Sequence, residues 1–254
     1  MQNALRKLPT IASRLRSHGC VLLLDFDGTL VDLETDYRTP RLSPKSQRLL
    51  RRLSRTYPLA IISGRSLADI ARRVGLQSAG YAGCHGLEWR AGGTRRAVKI
   101  PAHTAAAFDN AKKQLRRLAG EYGARTENKK LSFALHYRTL ARAKGRTLAV
   151  KARKIVDEVN RRNAYILAID DQYTFDIRPN VSASKGTSAR LLYHALKKST
   201  RAIPIYIGDS LTDEDAFRTF SRGITIRVGK NRRSAAQYFV PTRSGVDAFL
   251  SQLP

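Results

Sequence analysis

The 254-residue chain, 42% hydrophobic and 26% charged, has room for one large domain or for a core carrying a smaller insert, and its short apolar runs leave no stretch of about 20 apolar residues to span a membrane. Its 47 Lys and Arg outnumber 20 Asp and Glu, a formal charge of +27 that favours phosphorylated ligands; no zinc-finger, RNP or Gly-rich RNA-binding pattern accompanies it, so nucleic acid is expected to be attracted only non-specifically. Two cysteines, Cys20 and Cys84, exclude a disulfide framework and paired CxxC metal ligands, which makes a reducing, cytoplasmic setting the default.

The opening, 1–20, is basic and poor in acids, as targeting segments can be, but no apolar h-region with a small-residue cleavage site follows. Leu5, Leu8, Ile11 and Leu15 recur at helical spacing and predict an amphipathic lead-in helix. VLLLDF (21–26) is a continuous apolar run ending in acid and glycine, the pattern of a buried parallel strand that feeds an active-site loop. A helix is predicted over 44–55, with Ser43 as N-cap ahead of Pro44, then a buried strand LAIISG (59–64) and a helix over 66–74. Strand, helix, strand in this order argues for parallel pairing. The segment 81–100 reads as a short strand followed by hairpin-like pieces around Gly92 and Gly93.

From residue 102 the pattern changes. Helices over 102–122 and 141–160 alternate with pairs of strand-like runs, 125–128 with 131–138 and 165–168 with 173–177. Helix, hairpin, helix, hairpin describes a small α+β layer with an antiparallel sheet. The earlier pattern then returns as a helix over 184–198, a buried strand IPIYIG (203–208), a short helix over 213–220 and a strand over 223–228. The expected fold is therefore an α/β core with a parallel sheet flanked by helices, 1–101 and 181–254, interrupted by an α+β cap domain over 102–180. Two core segments around an insert imply a lid over the carboxyl ends of the core strands, where open parallel sheets place their ligands.

DFDGTL (25–30) follows the first buried strand directly, so Asp25 and Asp27 project into the crevice from a turn that Gly28 permits. One carboxylate can accept a phosphoryl group while the other cycles as acid and base; a loop with an Asx-turn and a helix N-cap is the plainer reading. GDSLTDEDAF (208–217) again follows a buried strand. Asp209 and Asp213 can point toward one hard cation such as Mg²⁺, while Thr212 can cap a helix whose first turn holds the acids; both readings can hold together. Ser63 offers a hydroxyl and Lys185 a point charge for a phosphoryl oxygen, each a cap or surface residue if taken alone. Asp, Ser, Lys, Asp at four strand ends or helix starts is a consistent set.

DFDGTL, ISGR, the SKG lysine and GDSLTDED resemble the phosphatases of the haloacid dehalogenase superfamily, and AGCHGLEW, FALHYR, DIRP and DEDAF extend the resemblance to its trehalose-6-phosphate phosphatases. The resemblance implies Asp25 as nucleophile and Asp27 as acid/base. It implies Mg²⁺ on Asp25, on the main-chain carbonyl of Asp27 and on Asp209, with Asp213 in support, and Ser63 and Lys185 on the phosphoryl group. In the insert it implies Lys129, Asp176 and Arg178 as readers of sugar hydroxyls, with at most some of His136, Tyr137 and Arg138 facing the ligand, and His85 and Glu88 ordering a loop. The expected partner is a small-molecule sugar phosphate acted on by a monomer, with no membrane involved. Two positions depart from the family: Asp176 stands where Glu is usual, shortening the acidic reach, and Ser210 stands where a second acid is common, weakening metal support modestly.

Overall fold

The computed structural model describes residues 1–34, 36–171 and 173–254. Met1–Ala97 and Ala183–Pro254 together form one unit, and Val98–Ser182 form another. In chain order the first segment holds β1 (Gln2–Asn3), α1 (Leu8–His18), β2 (Cys20–Asp25), α2 (Pro44–Thr56), β3 (Leu59–Ile62), α3 (Leu67–Val74), β4 (Gly80–Gly83), β5 (Glu88–Ala91) and β6 (Thr94–Ala97). The second unit follows with α4 (Ala102–Tyr122), β7 (Arg125–Asn128), β8 (Phe133–His136), α5 (Arg142–Val159), β9 (Ile166–Asp171) and β10 (Thr174–Pro179). The chain then returns to the first unit with α6 (Lys185–Leu196), β11 (Ile203–Gly208), α7 (Glu214–Thr219), β12 (Ile224–Val228), β13 (Tyr238–Val240) and α8 (Arg243–Ser251).

One sheet in the order β1-β13-β12-β11-β2-β3-β4-β5-β6 organises the first unit. Its pairs are parallel from β1 through β4 and antiparallel for β5 and β6. Every residue of β2 is buried, as a central strand covered on both faces requires. Leu22 and Leu24 pack with Leu50, Leu53, Ile70 and Phe249 from the helices on one face. Val21 and Leu23 pack with Leu192 and Phe217 from those on the other. The period-2 alternation of side chains along the strand produces this division. At α2 the Ser43 hydroxyl accepts the Ser46 N–H at 3.0 Å, with Pro44 in the first turn, where its missing N–H costs nothing.

In the second unit a four-stranded antiparallel sheet, β7-β8-β10-β9, packs against α4 and α5. Phe133, Leu135, Phe175 and Ile177 enter that apolar core together with Phe108, Leu115, Leu148 and Val156 of the helices. Residues between them on each strand therefore stand on the opposite face.

Several boundaries differ from the sequence reading. β1, β13 and α8 carry no prediction: two- and three-residue strands are too short to show a period, and α8 is a nine-residue terminal helix. The lead-in helix starts at Leu8 because the chain before it pairs as β1 with β13 and Leu5 N–H is taken by Asn3 Oδ1 at 2.9 Å. The run 131–138 contributes strand only over Phe133–His136, since Lys129 N–H and Ser132 C=O close a tight turn at its start. β9 continues to Asp171, two acids beyond the apolar run, because pairing with β10 extends to the Asp171–Thr174 position.

Cys20 and Cys84 are buried thiols, and burial pushes Cys20 up to about 12. Thiolate is the reactive form, so neither cysteine is expected to react with a disulfide-exchange reagent at pH 8 until denaturant is added. Stoichiometric labelling of the native protein would show that one of them is reached by solvent. Among the described residues no helix is long and apolar enough to cross a membrane.

Candidate active site

Strands β3, β2 and β11 lie side by side and parallel, with Asp25 opposite Ile62 and Leu24 opposite Ile207. Their carboxyl ends therefore carry Ser63, Asp25 with Asp27, and Asp209 along one edge of the sheet. The chain leaves β2 through a tight loop in which Phe26 C=O accepts the N–H groups of Leu30 at 2.8 Å and Val31 at 3.1 Å. Gly28 turns this loop at φ +79°, and a Cβ there would collide with the Asp209 carboxylate. Only glycine meets both the conformation and the close approach.

Asp25, Asp209 and Asp213 bring one carboxylate oxygen each to within 4.8 Å of one another. Lys185, at the first position of α6, donates from Nζ to Asp25 Oδ1 at 2.7 Å and to Asp213 Oδ1 at 3.0 Å. Both partners of that pair are buried. Burial raises Asp25 well above the ordinary carboxylate range; Lys185 opposes the rise, and Asp213 and Asp209 add to it. Burial would also raise Asp213, but Lys185 and the hydrogen bonds from Ser210 and Tyr206 outweigh it and hold Asp213 low. Burial disfavours the Lys185 ammonium, yet Asp213 and Asp25 more than compensate and hold it protonated.

Asp213 is saturated. Its Oδ1 accepts from Lys185 and from Tyr206 Oη at 2.7 Å; its Oδ2 accepts from Ser210 Oγ at 2.6 Å, Ser210 N at 2.9 Å and Asp209 N at 3.2 Å. It therefore ties Lys185 and the 209–210 loop together. Three carboxylates against one ammonium leave excess negative charge among oxygen-only donors, a set that fits a hard divalent cation. Asp25, Asp209 and Asp213 are the residues that could hold such an ion.

The expected cap at Thr212 is corrected here. Ser210 makes the capping box with Asp213, and Thr212 bonds the Ser210 hydroxyl at 2.8 Å. Ser210 thus stands where an acid was expected and instead donates to Asp213. Tyr206 and Arg65 both escaped the sequence reading. Arg65 grips Asp27 with a two-pronged fork, Nη2 to Oδ1 at 2.7 Å and Nε to Oδ2 at 2.8 Å, while its backbone N–H reaches Ser63 Oγ at 3.1 Å. Glu88 Oε1 accepts the N–H of Leu67 at the start of α3 at 2.9 Å. The buried His85 ring sits against Gly64, where a Cβ would lie 2.6 Å from ring Cε1.

In the second unit Lys129 Nζ meets Asp176 Oδ2 at 2.6 Å, both side chains buried, and lies 3.8 Å from Glu127. Arg178 lies two residues beyond Asp176 on the same face of β10, opposite the core-facing Phe175 and Ile177. His136 shares this polar face and bonds Glu127 at 3.0 Å, whereas Tyr137 belongs to the apolar core and bonds Asp170. Arg138 lies past the strand end, over the Tyr173 ring at 6.0 Å. His136 stands on the face that carries Asp176 and Arg178, and Tyr137 does not.

This architecture is a haloacid dehalogenase-like core with an inserted α+β unit. A B. subtilis haloacid dehalogenase-like hydrolase superposes with TM-score 0.60 at 14% identity, covering 92% of this chain and 99% of that one. The C-terminal domain of Candida albicans trehalose-6-phosphate phosphatase does so with TM-score 0.84 at 22% identity, covering 100% and 98%. The family profile described as trehalose-phosphatase matches residues 23–244, and the chain belongs to that family. It is similar to a trehalose-phosphate phosphatase of Mycobacterium tuberculosis, 32% identical over 252 residues, a match covering 96% of this chain and 63% of that relative's length.

Proposed function

We propose that the chain hydrolyses trehalose 6-phosphate to trehalose and phosphate through an aspartyl-phosphate on Asp25, with Mg²⁺ as cofactor. The observation that carries this reading is the cluster of Asp25, Asp209 and Asp213 beside Asp27, with Lys185 bonded to Asp25 and Asp213. The Asp25 carboxylate attacks phosphorus as the bond to the sugar oxygen breaks, and Asp27 gives that oxygen a proton. Asp27 then takes a proton from water, whose oxygen displaces phosphate from Asp25. Lys185 and Ser63 hold the phosphoryl oxygens, and Asp213 and Tyr206 fix Lys185 in place. Asp25, Asp209 and the Asp27 carbonyl would hold Mg²⁺, which would supply positive charge to the transferring group.

Lys129, Asp176 and Arg178 supply the polar groups that read the sugar. A site built to pair hydroxyls rejects ligands lacking them more sharply than an apolar pocket does. A second reading keeps the chemistry and changes the sugar to sucrose 6-phosphate, mannosyl-phosphoglycerate or a hexose phosphate. It is favoured by the shorter Asp176, whose carboxylate is engaged by Lys129. Phosphate release measured as kcat/KM over these substrates, with and without Mg²⁺, is expected to rank trehalose 6-phosphate first and to fall to background in chelator. A different leader replaces the substrate and leaves the mechanism; release that ignores chelator removes the cofactor.

A further inference from the structure

Asp27 and Ser63 lie on different strand-end loops, yet one residue contacts both. Arg65 is buried at 5% exposure and its backbone is locked, with N–H on Ser63 Oγ and C=O accepting Cys84 N–H at 2.7 Å. Its guanidinium spends two nitrogens on Asp27 and turns the third to Asp69 at 3.2 Å. Asp69 is braced in turn by Arg73 at 2.7 Å and Arg72 at 2.9 Å. The guanidinium lies between two carboxylates, with its carbon 5.7 Å from the Phe26 ring centroid. A planar fork with both prongs engaged fixes the plane of the carboxylate it binds, which a single ammonium cannot do.

We infer that Arg65 is the positioning residue for Asp27, with Asp69 as its outer anchor. The inference rests on the proposed role of Asp27. Proton transfer to the departing sugar oxygen needs Asp27 within hydrogen-bond reach and correctly oriented at the moment the bond to phosphorus breaks. Asp27 is only partly buried, its side chain 30% exposed, so its own surroundings restrain it little. The Arg65 guanidinium supplies the restraint through its two bonds to the Asp27 carboxylate.

The test is a double-mutant cycle on the best sugar phosphate of the panel, in Arg65→Gln, Arg65→Lys, Asp27→Ala and Asp27→Ala/Arg65→Gln. Arg65→Gln is expected to lower kcat about 30-fold, part of the roughly 100- to 10,000-fold that general acid–base catalysis contributes, with KM within about twofold. Arg65→Lys recovers only part of this, because charge returns without the fork. The double variant is expected to be no slower than Asp27→Ala alone. Losses that multiply, or an Arg65→Gln enzyme with parental kcat, overturn the inference and leave the phosphatase reading standing. Should Arg65 variants fail to fold, Asp69→Asn replaces them in the same cycle, with a smaller loss that again vanishes on Asp27→Ala. A parent that releases no phosphate from any sugar phosphate overturns the phosphatase reading, and this inference with it.

Discussion

Asparagine in place of Asp25 is expected to abolish turnover while leaving the fold as stable as the parent or more so. The carboxamide cannot accept the phosphoryl group, and loss of at least about 10,000-fold in kcat, about 5.4 kcal/mol of barrier, is the expected scale for removing a nucleophile. The stability result follows from charge. Burial and the neighbouring Asp213 and Asp209 raise Asp25 above its unfolded value, so the folded protein binds a proton there more tightly than the unfolded chain does. The stabilisation from that proton is complete below the unfolded value and is lost as pH rises through the folded one. In chelator, the melting temperature of Asp25→Asn should therefore gain on that of the parent as pH rises from 4 to 8. A variant that melts well below the parent at neutral pH would show that the ionised carboxylate holds the site together.

Methionine in place of Lys185 is expected to do the reverse, removing both stability and activity. The side chain is fully enclosed and holds the only cation bonded to Asp25 or Asp213 among the described side-chain contacts. Its removal leaves three carboxylates facing one another, and breaking a buried ion pair from one side costs about 3–5 kcal/mol. For a protein of this size that corresponds to roughly 6–20 °C in melting temperature. Added Mg²⁺ should raise the melting temperature of the variant more than that of the parent, since the carboxylates it binds are then less compensated. Differential scanning calorimetry with and without Mg²⁺ reads both effects. A melting temperature within about 2 °C of the parent would sink the idea that Lys185 balances this cluster.

The parts of the site that could be read from the sequence share one property: each follows a run whose burial is written in its composition. VLLLD before Asp27, LAII before Ser63 and IPIYIG before Asp209 announce strands covered on both faces, and parallel strands deliver their ends to one edge. Lys185 was legible because it heads a capped helix. Arg65 was not, being one of 47 cations with no local mark of its partner, Asp27, which lies on a different loop. Tyr206 looked like strand filling, because an aromatic ring in an apolar run is core by default and its hydroxyl is explained only by Asp213. Ser210 was read as a missing acid, whereas its hydroxyl makes a bond that no spacing rule encodes. The small β1, β13 and α8 are fixed by contacts made across the unit, which leave no period behind.

The pairing of β2 with β11 also bears on how the chain is made. Leu24 meets Ile207, so the strand bearing Asp25 has no neighbour on that side until about 180 further residues have left the ribosome. At bacterial and eukaryotic elongation rates this is on the order of ten to forty seconds, during which an apolar strand edge must be shielded from other nascent chains. Asp25 and Asp209 are thus brought together only after β11 has emerged.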